Sequence, residues 1–80
     1  MVTVKFFAGF REKIGTAEMN IDAGDTTIEN LIDLLDKKHP GVKELVKSGA
    51  TIALNRNVAK AGDVIKDTDV VAIFPPVSGG

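Results

Sequence analysis

The stretch TTIENLIDLLDKKHPG, residues 26–41, carries the strongest helix signal in the chain. Thr26 and Glu29 have the spacing of a capping box, in which the threonine oxygen accepts from a free backbone N–H and the glutamate reaches back to the cap residue. Apolar residues at i, i+3, i+4 and i+7 fall on one helix face: Ile28, Leu31, Ile32 and Leu35. Pro40, followed by glycine, predicts that the helix ends near His39.

The sequence on both sides of this helix predicts β-strands. Apolar and polar residues alternate in most of these stretches, whereas residues 70–74 are apolar almost throughout, as is usual for a central strand. The predicted strands cover residues 2–8, 17–22, 51–55 and 70–74, with a short strand near Val58. Short helical segments are expected at residues 10–14 and 42–48, each closed by a glycine. Residues 61–69 are polar and rich in turn-forming side chains.

A hairpin, a helix and then more strands predict a small α+β domain, in which one face of a sheet packs on the main helix. The economical topology for this order is a β-grasp, with a mixed sheet whose first and last strands run parallel at its centre. Val71 and Ile73 are expected to face the helix. Residues 1–74 should form this domain, and residues 75–80 should form a flexible, extended C-terminal tail.

The composition excludes several classes of function. The chain of 80 residues has no cysteine, which excludes a disulfide framework, a thiolate zinc site and a cysteine nucleophile. Its net charge of -1 is evenly spread, without the basic stripe of a nucleic-acid-binding protein. No apolar run approaches the ~20 residues of a membrane span, and the first residues lack the pattern of a signal peptide. We therefore expect no nucleic-acid or membrane partner and a cytoplasmic location.

Candidates for catalysis within the chain are weak. The only histidine, His39, is interpreted as a helix-end residue, where a partly charged imidazole suits the dipole. The acidic residues Asp63, Asp67 and Asp69 lack the glycine and glutamate of a calcium loop and are interpreted as turn residues. Without a convincing nucleophile–base pair or metal site, the chain alone is expected to be non-catalytic.

The last six residues suggest a different way of acting: Pro75, Pro76, Val77, Ser78, Gly79 and Gly80. The two prolines fix φ and remove two backbone donors, so strand pairing should stop there and the chain should leave in an extended form. Two final residues without side chains could enter a channel too narrow for a Cβ atom and carry a carboxylate to its end. A carboxylate is a poor acyl group until it is activated, for example as an acyl-adenylate. We therefore expect the tail to be delivered into the active sites of other enzymes.

The end of the chain, FPPVSGG at residues 74–80, resembles the terminal signature of the small, sulfur-carrier subunits of molybdopterin synthase, which are ubiquitin-like proteins of the MoaD/ThiS type. The resemblance spans the whole chain and includes Phe6-Phe7-Ala8, Arg11-Glu12, Gly15 and Leu54-Asn55. One departure is the turn Lys66-Asp67-Thr68-Asp69, where that family often carries glycine. We expect this difference to alter the turn and not the chemistry.

The resemblance implies a mechanism and a set of partners. An adenylyltransferase of the ubiquitin-activating type would use ATP to adenylate the Gly80 carboxylate, and a sulfur donor protein would convert it to a thiocarboxylate. Bound to the large synthase subunit in a heterotetramer, the tail would give its sulfur to a cyclic pyranopterin monophosphate. Two such transfers would build the dithiolene of molybdopterin. The carrier itself would hold no permanent cofactor or metal.

Phe7 and Phe74 are candidates for contact with these partners. Both could lie on the open face of the sheet, where clustered apolar side chains often mark an interface. The alternative is that one or both belong to the core. Arg11, Lys13 and Arg56 could form salt bridges at the rim of such an interface or could simply be solvated.

Other functions remain open from the sequence alone. A sulfur carrier for thiazole synthesis or tRNA thiolation would share the fold and the Gly-Gly end. A ubiquitin-like protein modifier would join its C-terminus to lysines of target proteins. A simple binding module with an incidental tail would keep its activity after loss of Gly80.

Overall fold

The computed structural model describes residues 1–75 of the chain. Seven strands and three helices follow one another there: β1 Val2–Phe6, α1 Gly9–Ile14, β2 Glu18–Ile21, β3 Thr26–Thr27, α2 Ile28–Lys38, α3 Val42–Lys47, β4 Thr51–Leu54, β5 Asn57–Val58, β6 Val64–Ile65 and β7 Val70–Phe74. The predicted helices and longer strands are confirmed to within one or two residues at their ends. The division into a domain and a separate tail stays a prediction, because residues 76–80 lie outside the described part.

The main sheet has the strand order β2-β1-β7-β4-β5. Strands β1 and β7 pair in parallel, with Val4 opposite Val71, and all other pairs in this sheet are antiparallel. The last strand is therefore the middle strand of the sheet, next to the first. This mixed sheet with a parallel central pair is the β-grasp topology that the sequence predicts.

The core lies between the sheet and α2. Alternate residues of β1 and β7 face the helix, and Val71 and Ile73 are fully buried, as predicted. The four apolar residues predicted for one face of α2 are also buried. Together the buried side chains form one cluster: Val2, Val4, Phe6, Phe10, Ile21, Ile28, Leu31, Ile32, Leu35, Val42, Ile52, Ile65, Val71 and Ile73. Burial of each larger aliphatic side chain stabilises the fold by about 1.5–3 kcal/mol.

The start of α2 differs from the prediction by one residue. The cap is Thr27 and not Thr26, because the Thr27 hydroxyl accepts from the backbone N–H of Asn30 at 3.2 Å. Thr26 instead pairs with Ile65 in a second, two-stranded sheet. Glu29 uses its backbone N–H, which donates to the carbonyl of Ala61 at 3.0 Å. The loop beyond β5 thus supplies the acceptor for this N–H group, which in the predicted capping box would donate to the Thr26 hydroxyl.

The second sheet, β3 with β6, was not predicted. Each strand has two residues, and β6 lies within the stretch interpreted as turns. Its inward residue Ile65 is fully buried, whereas its neighbour Val64 is 62% exposed. This small sheet fixes the long loop against the beginning of α2 and adds a side chain to the core.

Polar contacts stabilise the connection between α2 and α3. Asp36 Oδ1 accepts from the backbone N–H groups of Gly41 and Lys43, each at 3.1 Å, which fixes the turn between α2 and α3. Lys43 Nζ lies 3.0 Å from Asp33 Oδ1, and this hydrogen bond and charge raise the pKa of Lys43.

Within residues 1–75, no helix has the length and apolar character that crossing a membrane requires.

Candidate functional site

The face of the sheet opposite the helices carries a groove with an apolar floor. Because strand residues alternate between faces, the residues next to the core positions of β1, β7 and β4 point away from α2. The register places Ala72 beside both Lys5 and Ala53, so two alanines form the low centre of this face. The open-face groove, about 450 Å³ in volume, is lined by Lys5, Phe7, Ala53, Asn55, Arg56, Val70, Ala72 and Phe74.

One end of the open-face groove is formed by two aromatic rings. Phe7 and Phe74 stack with centroids 4.6 Å apart and an interplanar angle of 13°. The Phe7 backbone N–H donates to the carbonyl of Ile73 at 3.3 Å, which extends the β1–β7 pairing and brings the two rings together. Phe7 is 38% exposed and Phe74 37% exposed. The structure thus places both on the open face, and their role in docking stays a prediction.

The other end of the groove is fixed by Asn55. Its backbone N–H donates to the Val70 carbonyl at 2.9 Å, and its side-chain oxygen accepts from the Val70 N–H at 2.9 Å. Its amide nitrogen also donates to Asp69 Oδ1 at 3.0 Å. A single side chain therefore joins the β4–β5 turn to the beginning of β7.

Asp69 closes the turn before β7. The backbone N–H of Lys66 donates to Asp69 Oδ2 at 2.8 Å, and the Asp69 N–H donates back to the Lys66 carbonyl at 3.0 Å. The Lys66 N–H and the Asn55 amide lower the pKa of Asp69, because hydrogen bonds to a carboxylate favour its charged form. Here the chain has a compact turn without glycine, and Asp69 is a turn residue, as the sequence predicted.

Two cations lie in the lining of the groove. Lys5 Nζ is 4.0 Å from Glu18 Oε1, and both side chains are exposed. Arg56 forms no ion pair within residues 1–75. The open-face groove thus combines an aromatic end, an alanine floor and a positive charge at the end opposite the aromatic pair.

The sequence-predicted tail residues lie mostly outside the described part. Pro75 follows Phe74 directly and is partly buried, while Pro76, Val77, Ser78, Gly79 and Gly80 fall in residues 76–80. His39 is the C-terminal cap of α2, as expected from its position, and its backbone N–H donates to the Leu35 carbonyl. Among residues 1–75 no three potential metal-ligating side chains come together.

A small sheet with a parallel central pair, one main helix across its inner face and a last strand, Val70–Phe74, in the middle of the sheet defines a ubiquitin-like β-grasp protein. Comparison with known families agrees with this class. The family model described as the ThiS family matches residues 4–80. The chain therefore belongs to the ThiS family of ubiquitin-like proteins.

Individual relatives extend over the same length. The molybdopterin synthase sulfur carrier subunit of Chlamydomonas reinhardtii is 35% identical, with 99% of this chain and 98% of that protein covered. The crystal structure of SAMP1 from Haloferax volcanii is similar with a TM-score of 0.80 at 31% identity, covering 99% and 98% of the two chains. A protein–protein complex of subunits 1 and 2 of the molybdopterin-converting factor from Helicobacter pylori contains a chain similar at a TM-score of 0.69 and 30% identity, with 99% and 97% covered.

Sequence reasoning found the aromatic end of the groove but not its floor. Val70, Ala72 and Ala53 were assigned to strands without being recognised as a surface. Their alternation with the buried residues of β7 and β4 was the available signal. The join between Asn55 and Asp69 depends on two residues 14 apart in the chain, and no local pattern indicates it.

Proposed function

We propose that this protein is the sulfur-carrier subunit of a molybdopterin synthase. The observation that supports this proposal most directly is the course of β7. It is the middle strand of the sheet, it ends at Phe74 in the aromatic pair, and the chain then has six residues that finish in Gly79-Gly80. A surface for a partner and a narrow terminus for its active site therefore lie next to each other along the chain.

The chemistry begins at the C-terminal carboxylate. A carboxylate oxygen of Gly80 attacks the α-phosphate of ATP, which releases pyrophosphate and forms an acyl-adenylate. A persulfide of the donor protein then attacks the acyl carbon and expels AMP. A thiol of the donor cleaves the resulting acyl disulfide, which leaves a thiocarboxylate on Gly80 and a disulfide on the donor.

The acceptor is a cyclic pyranopterin monophosphate held by the large subunit. Each thiocarboxylate supplies one sulfur, and water releases the spent tail as a carboxylate. A dithiolene needs two sulfurs, so two carriers act on each pterin, consistent with a heterotetramer of two small and two large subunits. In this scheme the adenylyltransferase is the protein that binds and uses ATP. We propose a cytoplasmic location for the carrier. The Helicobacter pylori complex supports the pairing with a large subunit.

A second candidate function is modification of other proteins. The similarity to a small archaeal modifier protein at a TM-score of 0.80 favours this alternative. The same activated Gly80 carboxylate would then react with the amine of a target lysine and form an isopeptide bond. A carrier for thiazole synthesis or tRNA thiolation would also share the thiocarboxylate and would differ in the acceptor.

Native mass spectrometry of the chain, tagged at its N-terminus and isolated from its own cells, tests these alternatives. The proposed function predicts a two-plus-two complex with a pterin-binding subunit and a thiocarboxylate that fragmentation places on Gly80. Isopeptide conjugates without this complex would identify a protein modifier instead.

Reconstitution with purified partners provides the matched test. Deletion of Gly80 should abolish formation of molybdopterin. Gly62→Ala is the control, because Gly62 has an ordinary backbone conformation and open space around its Cβ position. This variant should retain full activity, and retention of activity after loss of Gly80 would contradict the proposal.

A further inference from the structure

The β4–β5 turn contains an unusual residue at the edge of the open-face groove. Leu54 pairs with Asn57, so the hairpin has the two-residue loop Asn55-Arg56. Both residues have positive φ, 49° at Asn55 and 75° at Arg56, as a type I′ turn requires. Asparagine suits the first position, but the second strongly favours glycine. Arginine therefore occupies a position where its Cβ atom strains the backbone.

The strain is confined to the neighbourhood of the groove. Within residues 1–75 the non-glycine residues with positive φ are Ala8, Asn55 and Arg56. Ala8 directly follows Phe7 at the aromatic end, and the other two line the opposite end. Asn55 has a structural reason for its conformation, since its side chain joins Val70 and Asp69. Arg56 makes no side-chain hydrogen bond or ion pair within the described residues that would explain its conformation. A strained backbone conformation that no contact within the fold explains is a reason to look for a functional role of the residue.

The surroundings of Arg56 indicate what it would bind. The carboxylate of Asp69 is already occupied by the Lys66 N–H and the Asn55 amide, and Lys5 lies near Glu18. Among residues 1–75, Arg56 thus presents the charge of the groove that no opposite charge compensates. A guanidinium is suited to a carboxylate, which it can bind through two parallel hydrogen bonds. The alanine floor and the phenylalanine pair accommodate an apolar side chain next to that carboxylate.

We propose that Arg56 is a specificity-determining contact for the protein partner that covers the open-face groove. The partner surface presents an apolar side chain to the Ala53–Ala72 floor and an aspartate or glutamate to Arg56. This inference rests on the proposed function, in which the large synthase subunit is the partner. It assigns to the groove a charged contact at the end opposite the aromatic pair, so that binding requires both ends.

The test measures affinity and thermal stability of the same variants of the full chain. Isothermal titration with the purified large subunit from the same organism should give a dissociation constant that rises about tenfold or more for Arg56→Gly, as for loss of an ion pair at a desolvated interface. The Tm of Arg56→Gly should stay the same or rise, because glycine adopts φ of 75° without strain. A residue with only a structural role would not separate these two measurements in this way.

Charge reversal supplies the matched control. Arg56→Glu should weaken binding more than Arg56→Gly, and added salt should raise its affinity, because salt screens the repulsion between two carboxylates. Lys37→Glu makes the same change in net charge on α2, behind the sheet, and should leave the affinity nearly unchanged. Equal losses for Arg56→Glu and Lys37→Glu would show a long-range effect of net charge and overturn the proposal, as would wild-type affinity in Arg56→Gly.

Other occupants of the groove give different results. Sedimentation of the free chain as a dimer that Arg56→Glu dissociates would identify a second copy as the occupant. A shift of the Arg56 Nε–H signal in NMR spectra when residues 76–80 are deleted would identify the chain's own terminus as the occupant. Either outcome overturns the proposal. Failure of the wild-type chain to bind the large subunit would instead overturn the proposed function, and this inference with it.

Discussion

Phe7 and Phe74 stack with their ring centroids 4.6 Å apart on the face of the sheet opposite the three described helices. Phe7 follows the first strand and Phe74 ends the last, so the contact depends on the parallel pairing of β1 with β7. Each of the two residues keeps more than a third of its surface exposed. Rings held in one orientation and left open to solvent are suited to binding a protein, because little side-chain entropy is lost when the partner arrives.

Phe74→Ala is expected to weaken binding to the large subunit about tenfold or more, since a truncated aromatic anchor is a typical interface hot spot. The measurement is a titration of purified large subunit against each variant. Val64→Ala is the control, because Val64 is a large apolar residue with 62% exposure that does not line the groove. Equal affinity of the two variants for the large subunit would show that Phe74 does not contribute to the interface.

Asp69→Asn is expected to destabilise the fold at neutral pH. Its pKa is below the ordinary value of 3.8, so the charged form is stabilised in the folded protein. This contribution is complete above pH 3.8 and is lost as the pH falls through the lower pKa of the folded state. Urea unfolding of both proteins should therefore show a stability difference at neutral pH that disappears in stronger acid.

The control for this pH dependence is Asp22→Asn. Asp22 is exposed and its side chain makes no hydrogen bond within residues 1–75. Its replacement removes no hydrogen bond among these residues and should change the free energy of unfolding by about 0.5 kcal/mol or less. A stability difference for Asp69→Asn that stays constant with pH would show that its two hydrogen bonds do not favour the charged form.

Ile65→Ala is expected to lower the free energy of unfolding by about 2–5 kcal/mol, the usual cost of emptying a fully buried aliphatic position. Val64→Ala, in the same two-residue strand but on its exposed side, should change it by about 0.5 kcal/mol or less. Chemical denaturation measures both values. Similar small effects for the two variants would mean that β6 contributes little to the core.

The sequence predicted those elements whose pattern extends over several residues. The i, i+3, i+4 spacing from Ile28 to Leu35 predicted α2 and its buried face, and the alternation in β1 predicted which of its residues point inward. In β7, which is apolar throughout, the inward position of Val71 and Ile73 followed from placing Phe74 on the open face. The β3–β6 sheet escaped prediction because two residues cannot show a period. Its pairing of Thr26 with Ile65 joins positions far apart in the chain, so only the folded topology brings them together.

For the candidate site, too, the sequence indicated the residues of the longer strands but not the conformation of the short turn. Exposure of Phe7 and Phe74 on the open face was one of two alternatives that the sequence left open, the other being burial in the core. The strained Arg56 could not be recognised, because the sequence Asn55-Arg56-Asn57 predicts a turn without its backbone angles. The single-residue error in the cap of α2 has a similar cause, since either Thr26 or Thr27 could serve from the sequence alone.

Thr27→Ala is expected to cost about 1 kcal/mol of stability through loss of the cap at Asn30, and Thr27→Ser should restore most of it. Thr26 offers the comparison, because its side chain caps no helix in the structure. Substitution of Thr26 by serine should therefore not improve on its substitution by alanine. Urea denaturation of the four variants decides the register of the cap. A rescue by serine at position 26 and not at 27 would contradict the structure.

The backbone conformation of Ala8 predicts how its substitution by glycine changes the free energy of unfolding. It has φ of 52° and ψ of -132° directly after Phe7, a region that strongly favours glycine. Ala8→Gly should raise the free energy of unfolding by up to about 1 kcal/mol, since relief of strain outweighs the added freedom of the unfolded chain. Ala61→Gly, at an exposed turn position without positive φ, should instead lower it by about 0.4–1 kcal/mol, because glycine gives the unfolded chain more freedom. Thermal or urea unfolding distinguishes the opposite signs, and a destabilised Ala8→Gly would mean that the Ala8 methyl group makes contacts worth more than the strain it imposes.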